Sequence, residues 1–408
     1  AILAQVSSQF CADVPILPCA MDQTLKQELA QHCLQALQAK GLSSIKDVAN
    51  VESRQIHGLW TGEGGIEELT LTGDDSSYPV IAKAIGSYRN VRDESGLQDH
   101  WSYYNELAFY DSELPDKICD AGALCPRPLH VVRRASAGGR KTSKLDVSRL
   151  SEKLQANLRR FVAQSEDGTE NDEGVICMTK LSGGYWSPDV EGVRGALTWL
   201  ARLHALFWGR QRAQAAVAAG VSDQAGFWHL ENRSVELRNM SSASPLRLAA
   251  AGLDERLKAD TMQTMCHGDP KGANIMWDSE TGRVSMYDFQ WFGQAPPTKD
   301  LCYFFATAAL NSRGYDQAAE EELLRFYHGE LATLLEGQGD APVPFEKLYE
   351  TYRLSVVDYH RWIEGGFAWG NMRLIRAHTQ AFLEALGDYK ALTSDAEYRE
   401  RIFECFPP

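Results

Sequence analysis

The chain has 408 residues, 44% of them hydrophobic, and a formal net charge of −14 at pH 7. That length exceeds one ordinary hydrophobic core, so two domains are expected, divided at 1–182 and 183–408. The acidic balance argues against nucleic acid and anionic membranes as partners, since both demand a basic surface, and no apolar stretch reaches the length of a membrane span.

In chain order, residues 23–40 have helical spacing and Gly41 as a C-terminal cap. Gly58-Leu59-Trp60-Thr61-Gly62-Glu63-Gly64-Gly65 reads as a glycine-rich turn, which lets a backbone approach phosphate oxygens closely; a plain surface turn has the same composition. Pro79-Val80-Ile81-Ala82-Lys83-Ala84-Ile85 is an apolar strand, and alternation sets Ile81, Lys83 and Ile85 on one face. Residues 101–111 have helical character and carry Glu106, and 126–132 read as a strand. Residues 133–173 read as an insertion, basic at its start and acidic at its end. Its middle has Val147, Leu150, Leu154, Leu158, Phe161 and Val162 at helical spacing, an excursion with one packed face. A strand at 174–177 then leads into Met178-Thr179-Lys180-Leu181-Ser182-Gly183-Gly184.

In the second half, Ser187 and Pro188 make an N-cap and first-turn pair for a helix through Leu203, His204 and Phe207. His204 lies among apolar residues and is expected to be a packed, hydrogen-bonded core histidine, and Cys266 a small buried hydrophobe at a strand end. Residues 301–310 read as a buried helix begun by Asp300 as its cap. Nine cysteines without Cys-x-x-Cys spacing cannot pair completely and point to a reducing compartment, the cytoplasm being the simplest. The cysteine and histidine spacing shows no zinc-ligand cluster. The sequence starts at Ala1 without methionine, which leaves a removed leader or a trimmed start open, and no secretion signal is seen.

The segment that carries chemistry is His267-Gly268-Asp269-Pro270-Lys271-Gly272-Ala273-Asn274, with Asp288 fourteen positions further on in Tyr287-Asp288-Phe289-Gln290. Asp269 can take a hydroxyl proton, and Asn274 and Asp288 offer the oxygen ligands that magnesium prefers. Ile275-Met276-Trp277-Asp278 and Arg283-Val284-Ser285-Met286-Tyr287 read as strands around the turn Ser279-Glu280-Thr281-Gly282, which returns Asp288 to the neighbourhood of Asn274. The pattern is that of phosphoryl transfer from ATP.

These residues resemble the catalytic loop and metal-binding aspartate of the aminoglycoside phosphotransferase and choline kinase superfamily. Tyr287-Asp288-Phe289-Gln290-Trp291 with Asp300-Leu301-Cys302-Tyr303-Phe304 is most similar to the ecdysteroid-kinase-like branch. The resemblance implies a protein-kinase-like α+β fold, an antiparallel sheet lobe with a helix followed by a mainly helical lobe, and a kinase of small-molecule hydroxyls using ATP and Mg2+. By the same resemblance Lys83 reaches the α- and β-phosphates and pairs with Glu106, Ile81 packs on adenine, and Gly62 and Gly64 cover the phosphates. Met178, Thr179 and Leu181 form the hinge whose backbone holds adenine; Lys180 stands where the family often has an acidic residue. His267 braces the catalytic loop, and Asp300 ties the metal loop to the lobe. Gly268 stands where protein kinases have arginine, which argues against regulation by activation-loop phosphorylation.

For the substrate the sequence offers Trp291, Trp362 and Trp369, with Asp358, His360 and Glu364 near the last two and a Gly365-Gly366 break where a helix end or lid would sit. Such aromatic walls suit a hydroxylated apolar or amine-bearing molecule, and equally the packed core of helices. Choline, aminoglycoside and protein acceptors stay open, as does a catalytically silent binding or scaffold protein.

Overall fold

The first helix, α1 (Gln23–Ala39), starts where Asp22 Oδ1 accepts from the Leu25 N–H at 2.8 Å. It stops where Gly41 takes φ = 66°, so that Gly41 N–H reaches Gln38 O and Leu42 N–H reaches Leu37 O, a glycine-closed helix end. The structure, a computed structural model, describes residues 21–73, 76–136, 147–164, 170–187, 189–310 and 314–408. The chain divides into two compact units, 1–116 with 126–181, and 117–125 with 182–408. Residues 117–125 thus pack with the second unit although they interrupt the first in sequence.

The first unit is an antiparallel sheet of β1 (Asn50–Gly58), β2 (Gly64–Thr72), β3 (Ser77–Ile85), β4 (Pro128–Arg134) and β5 (Glu173–Thr179) in the order β1-β2-β3-β5-β4. Alternation along β3 turns Val80, Ala82 and Ala84 into the core beneath α1, where Leu29, Cys33 and Leu37 meet Leu69, Leu71, Val175 and Cys177. Lys83 therefore lies on the other face, where α2 (Glu94–Tyr110) packs. This helix is longer than the expected 101–111: Asp93 caps it by accepting from the Gly96 N–H at 2.8 Å, and the polar first turn with its glycine hid that start. In the insertion, α3 (Glu152–Phe161) buries Leu154, Leu158 and Phe161 and stacks Phe161 on Trp101 of α2, ring centroids 5.5 Å apart. The insertion therefore docks on its own unit; its stretches 137–146 and 165–169 lie outside the described residues.

The second unit is mainly helical. Two small sheets interrupt it: β6 (Gly184–Tyr185) pairs with β8, and β7 (Thr264–Cys266) pairs with β10, where β8 is Ile275–Asp278, β9 is Arg283–Met286 and β10 is Gly293–Ala295. Between β6 and β7 run α4 (Val190–Leu206) and α5 (Pro245–Ala259); after β10 come α6 (Thr298–Phe304), α7 (Gln317–Gly337), α8 (Phe345–Gly365), α9 (Met372–Ala385) and α10 (Asp395–Cys405). Leu253 and Leu257 of α5, Leu354 and Val357 of α8, Phe382 of α9 and Ile402 of α10 share one core.

Two helix starts differ from expectation. Asp189, not Ser187, caps α4, its carboxylate accepting from the Gly192 N–H at 2.6 Å; an ionised acceptor at that place outcompetes a hydroxyl, and Pro188 lies outside the described residues. Asp300 is not a cap: α6 starts at Thr298 after Pro297, and Asp300 sits inside the first turn with its side chain turned to another loop. The expected helix at 301–310 ends its α-helical part at Phe304 and continues as a π-helical turn, Phe305–Ala309. The Gly365-Gly366 break is the end of α8.

The glycine-rich turn is the β1–β2 connection. Gly64 has φ = 133°, and a Cβ there would lie 2.2 Å from Ala84 O, whereas Gly62, at φ = 79°, has nothing within 4 Å. Gly64 is thus required by the sheet itself. Gly62→Ala is expected to cost about 1 kcal/mol, the strain of a positive φ alone. Gly64→Ala should cost clearly more, because β2 must part from β3; urea denaturation of the two variants showing the reverse order would remove packing as the reason for Gly64.

Candidate active site

In the first unit, β3 presents Lys83 and α2 presents Glu106, and their Nζ and Oε2 meet at 2.5 Å with 6% and 1% of the side chains exposed. Burial makes this pair stiff, because separating it strands a desolvated charge. Lys83 also stands 5.2 Å above the Tyr103 ring.

The glycine turn is tethered by a residue that sequence reading passed over. His100, fully buried in α2, accepts from the Thr61 hydroxyl at Nδ1 (3.0 Å) and donates from Nε2 to Gly86 O (2.9 Å). Burial is the main cause that pushes its pKa down to about 4, so the ring is neutral. Trp60, beside this anchored turn, is 71% exposed. Nothing in the local sequence marks His100 except its place on the helix of Glu106.

At the end of β5, Met178 is buried within the sheet, and the Thr179 N–H donates to Arg127 O at 3.0 Å. Lys180 ion-pairs with Glu68 at 2.9 Å, which gives the unexpected lysine a partner on β2.

In the second unit, a carboxylate organises the loop after β7. Asp300, fully buried, accepts from the His267 N–H at 2.7 Å and the Gly268 N–H at 2.8 Å, and its Oδ2 lies 3.2 Å from His204 Nε2. His204 in turn bonds Tyr327 at 2.7 Å, the packed core histidine expected. Gly268 has φ = 83°, and a Cβ would lie 2.0 Å from Trp291 O, so no larger residue fits beside the loop. His267 Nε2 lies 3.1 Å from Tyr287 O, and its Nδ1 takes the Asp269 N–H at 3.3 Å; burial lowers its pKa, consistent with a neutral brace. Cys266 is buried, and burial pushes its thiol up; with His204 and Asp300 it brings ligand-type atoms within 4.8 Å, a cluster that sequence spacing did not show. The thiol points to Pro296 O at 3.4 Å and the other two are hydrogen-bonded as above, so all three serve the loop.

Asp269 is 2% exposed. Its Oδ2 accepts from Lys271 Nζ at 2.5 Å and Asn274 Nδ2 at 2.9 Å, while its Oδ1 is buried and has no hydrogen-bond partner among the described residues. Burial raises its pKa first, Lys271 opposes, and the charge of Asp288 adds to the rise. Asp288 is therefore electrostatically near, as the hairpin requires: Ile275 pairs with Met286, and the Tyr287 N–H donates to Asn274 O at 3.0 Å. Asp288 itself, at φ = 71°, is the only non-glycine residue with a positive φ among those described, a strained backbone of the kind that collects at functional sites. Asn274 uses its amide nitrogen on Asp269, which leaves its oxygen as the atom suited to a cation.

Trp291 is 5% exposed, with the Arg233 guanidinium 5.3 Å over its ring. Trp362 is 3% exposed, packs on Phe227 with ring centroids 4.8 Å apart and donates to Glu236 at 3.3 Å. Both belong to one aromatic cluster. Trp369 is half-buried on the loop after α8, its Nε1 buried without a hydrogen-bond partner among the described residues.

Residues 246–339, which include this loop, the hairpin and Asp300, match a family model. The match is to the ecdysteroid kinase-like family. This is the branch whose resemblance the motifs carry. No curated protein sequence matches the chain significantly. Among solved structures, aminoglycoside-3'-phosphotransferase of type VIII is 19% identical over 80% of this chain and 99% of its own, with a TM-score of 0.38. A choline/ethanolamine kinase family protein from Mesorhizobium loti is 13% identical over 91% and 98%, at 0.39. The amicoumacin kinase hAmiN in complex with AMP-PNP, Ca2+ and Ami is 13% identical over 92% and 95%, at 0.44. These likenesses are loose, and the fold described above stands on its own strands and helices.

His100 gives the first unit an acid-side sensitivity. Its folded pKa of about 4 lies below the usual 6.5, so the unfolded chain binds the proton more readily. The stability due to neutral His100 is complete above about pH 6.5 and is lost as the pH falls towards 4, to the extent of roughly 3 kcal/mol. His100→Asn, which keeps a donor and an acceptor but does not titrate, is expected to flatten part of this fall in urea denaturation between pH 7.5 and 4.5. An unchanged slope would place the titration elsewhere.

Proposed function

We propose that the protein is an ATP- and magnesium-dependent phosphotransferase that phosphorylates a hydroxyl of a small molecule, with Asp269 as the base. The observation that carries this reading is the asymmetry of Asp269: Oδ2 is fixed by Lys271 and Asn274, and Oδ1 is left as a buried acceptor with a raised proton affinity. Such a carboxylate suits a hydroxyl proton better than a solvated one, since its affinity lies closer to the working pH. In the second unit Asn274 and Asp288 would hold magnesium, which would neutralise phosphate charge; the oxygen donors and the strained Asp288 backbone fit a hard cation. Lys83, held by Glu106, orients the triphosphate, Ile81, Met178 and Leu181 meet adenine, and the turn with Gly62 and Gly64 covers the phosphates. In this division 1–182 binds the nucleotide and 183–408 supplies the base and the acceptor site.

A catalytically silent binding protein is the other reading, and the presence together of Lys83, Glu106, Asp269, Asn274 and Asp288 weighs against it. Substrate-stimulated ADP release across neutral apolar alcohols, amino alcohols, aminoglycosides and peptides tests the choice. Binding of magnesium-ATP without ADP release on any acceptor would favour the silent protein.

Asp269→Asn is expected to lower kcat by about 10²–10⁴-fold while sparing magnesium-ATP affinity, because it removes proton acceptance with little change of shape. Asp288→Ala should abolish most magnesium-dependent nucleotide binding; equal affinity by calorimetry would count against the metal assignment. Lys271→Met removes the cation that lowers the Asp269 pKa. The acid limb of kcat, which reports ionised Asp269, should then move to higher pH, and a limb that stays in place would mean another group sets it.

A further inference from the structure

Two thiols of the second unit face one another away from the loop of Asp269. Cys119 lies in the last turn of the short helix Leu114–Asp120, Cys125 follows six residues later, and their Sγ atoms are 3.4 Å apart. A glycine turns the chain back between them. Gly122, at φ = 81°, donates its N–H to Cys119 O at 3.0 Å, and the Ala123 N–H reaches Ile118 O at 3.1 Å, the two bonds of a glycine-closed helix end. That closure lays the Cys125 backbone against the Cys119 side chain. The Cys119 S–H donates to Cys125 O at 3.2 Å, and the Cys125 N–H donates to Cys119 Sγ at 3.5 Å.

The same turn is bound to the strand that leads to Asp288. Leu124, next to Cys125, makes a parallel bridge with Ser285 of β9, and its carbonyl accepts from the Met286 N–H at 3.1 Å and from Trp199 Nε1 at 2.8 Å. Gly122 O accepts from Arg202 Nη1 of α4 at 2.9 Å. Met286 stands two residues before Asp288, so the hold of the turn on β9 is a hold on the chain just ahead of that aspartate.

We infer that Cys119 and Cys125 are an oxidation site: hydrogen peroxide converts the two thiols into an intrachain disulfide, which thiol reductants reopen and which stiffens the 119–125 turn against β9. This goes beyond the phosphotransferase reading and does not depend on it. Sulfurs in a disulfide lie about 2.05 Å apart, so the pair must close by roughly 1.3 Å, a movement that side-chain torsions supply. Exposure separates this pair from other buried cysteines. Cys119 and Cys125 keep 7% and 4% of their surface beside the exposed Asp120, whereas Cys33, Cys177 and Cys266 keep none, so a small oxidant reaches the pair ahead of them. In reducing surroundings such a disulfide is transient, the form that redox sensing takes.

The Cys125 N–H aimed at Cys119 Sγ favours negative charge on that sulfur, which makes Cys119 the nucleophile. Its thiolate attacks one oxygen of hydrogen peroxide, the O–O bond breaks, and the leaving hydroxide takes up the proton that Cys119 released, as water. Cys119 is then a sulfenic acid. The Cys125 sulfur attacks that of Cys119, the S–S bond forms and the S–O bond breaks, and the hydroxyl leaves with the Cys125 proton as a second water. The dithiol has given up two electrons and the peroxide has accepted them.

Trypsin cuts after Lys117 and, because Pro128 follows Arg127, next after Arg133, so both cysteines stay in one peptide, 118–133. The native protein is treated with hydrogen peroxide, its remaining thiols are alkylated under denaturing conditions, and the digest is weighed by mass spectrometry. Peptide 118–133 is expected to be unalkylated and lighter by two hydrogens, and dithiothreitol before alkylation should restore two alkylated thiols. This reading needs no variant. Cys125→Ser should leave Cys119 as a sulfenic acid that dimedone traps, while Cys119→Ser should leave Cys125 untouched by dimedone. In 15N-methionine-labelled protein, with the signal identified by Met286→Leu, hydrogen exchange at the Met286 N–H should be severalfold slower after oxidation. Two free thiols in peptide 118–133 while Cys405 is oxidised, or a disulfide from either cysteine to another peptide, would overturn the inference. Exchange at Met286 that ignores the disulfide would overturn its hold on β9.

Discussion

The buried carboxylate of Asp300 is the constraint on which the loop of the second unit depends. It takes the N–H groups of His267 and Gly268 at once and leans on His204 of α4, so a loop, a helix start and a helix end are fixed through one side chain. Ionic acceptors bonded by backbone N–H groups are among the stronger hydrogen bonds. With the loop pinned there, Gly268 can press against Trp291 O and Asp269 is carried to its place without freedom to turn away.

From that fixed loop the electrostatics of Asp269 follow. Burial raises its proton affinity and Asp288 raises it further, while Lys271 and Asn274 hold one oxygen and keep the group within the fold. Burial prevails over Lys271, and the outcome is a carboxylate of raised proton affinity with one oxygen fixed by two donors. The hairpin between Asn274 and Asp288 is what makes the two aspartates felt by each other, and the left-handed Asp288 backbone is the local cost of ending that hairpin there.

The first unit uses the same economy of anchoring. Lys83 and Glu106 form a buried pair across strand and helix, and the same helix sends His100 to hold Thr61 in the glycine turn. One helix thereby fixes both the lysine and the turn. Because α2 is itself packed by the Phe161–Trp101 stack, the insertion contributes to the stiffness of this arrangement.

The sequence by itself determined the elements whose signals are local. The hairpin at 275–286 was legible because its strands and turn are contiguous, and the alternation of β3 placed Lys83 opposite the core. The end of α1 at Gly41 and the end of α8 at Gly365-Gly366 were legible for the same reason, since glycine acts on its own backbone. Tertiary structure alone decided what depends on partners far away in the chain. Asp300 read as a cap because its spacing to a helix is visible, whereas its bonds to His267 and Gly268 span more than thirty positions. His100 carried no local mark, and Asp189 displaced Ser187 because a carboxylate competes better for the helix amides. The three tryptophans show the limit most clearly: composition proposed Trp291, Trp362 and Trp369 alike, and only packing showed that Trp291 and Trp362 meet on Phe227 while the half-buried Trp369 reaches the same cluster through Phe367.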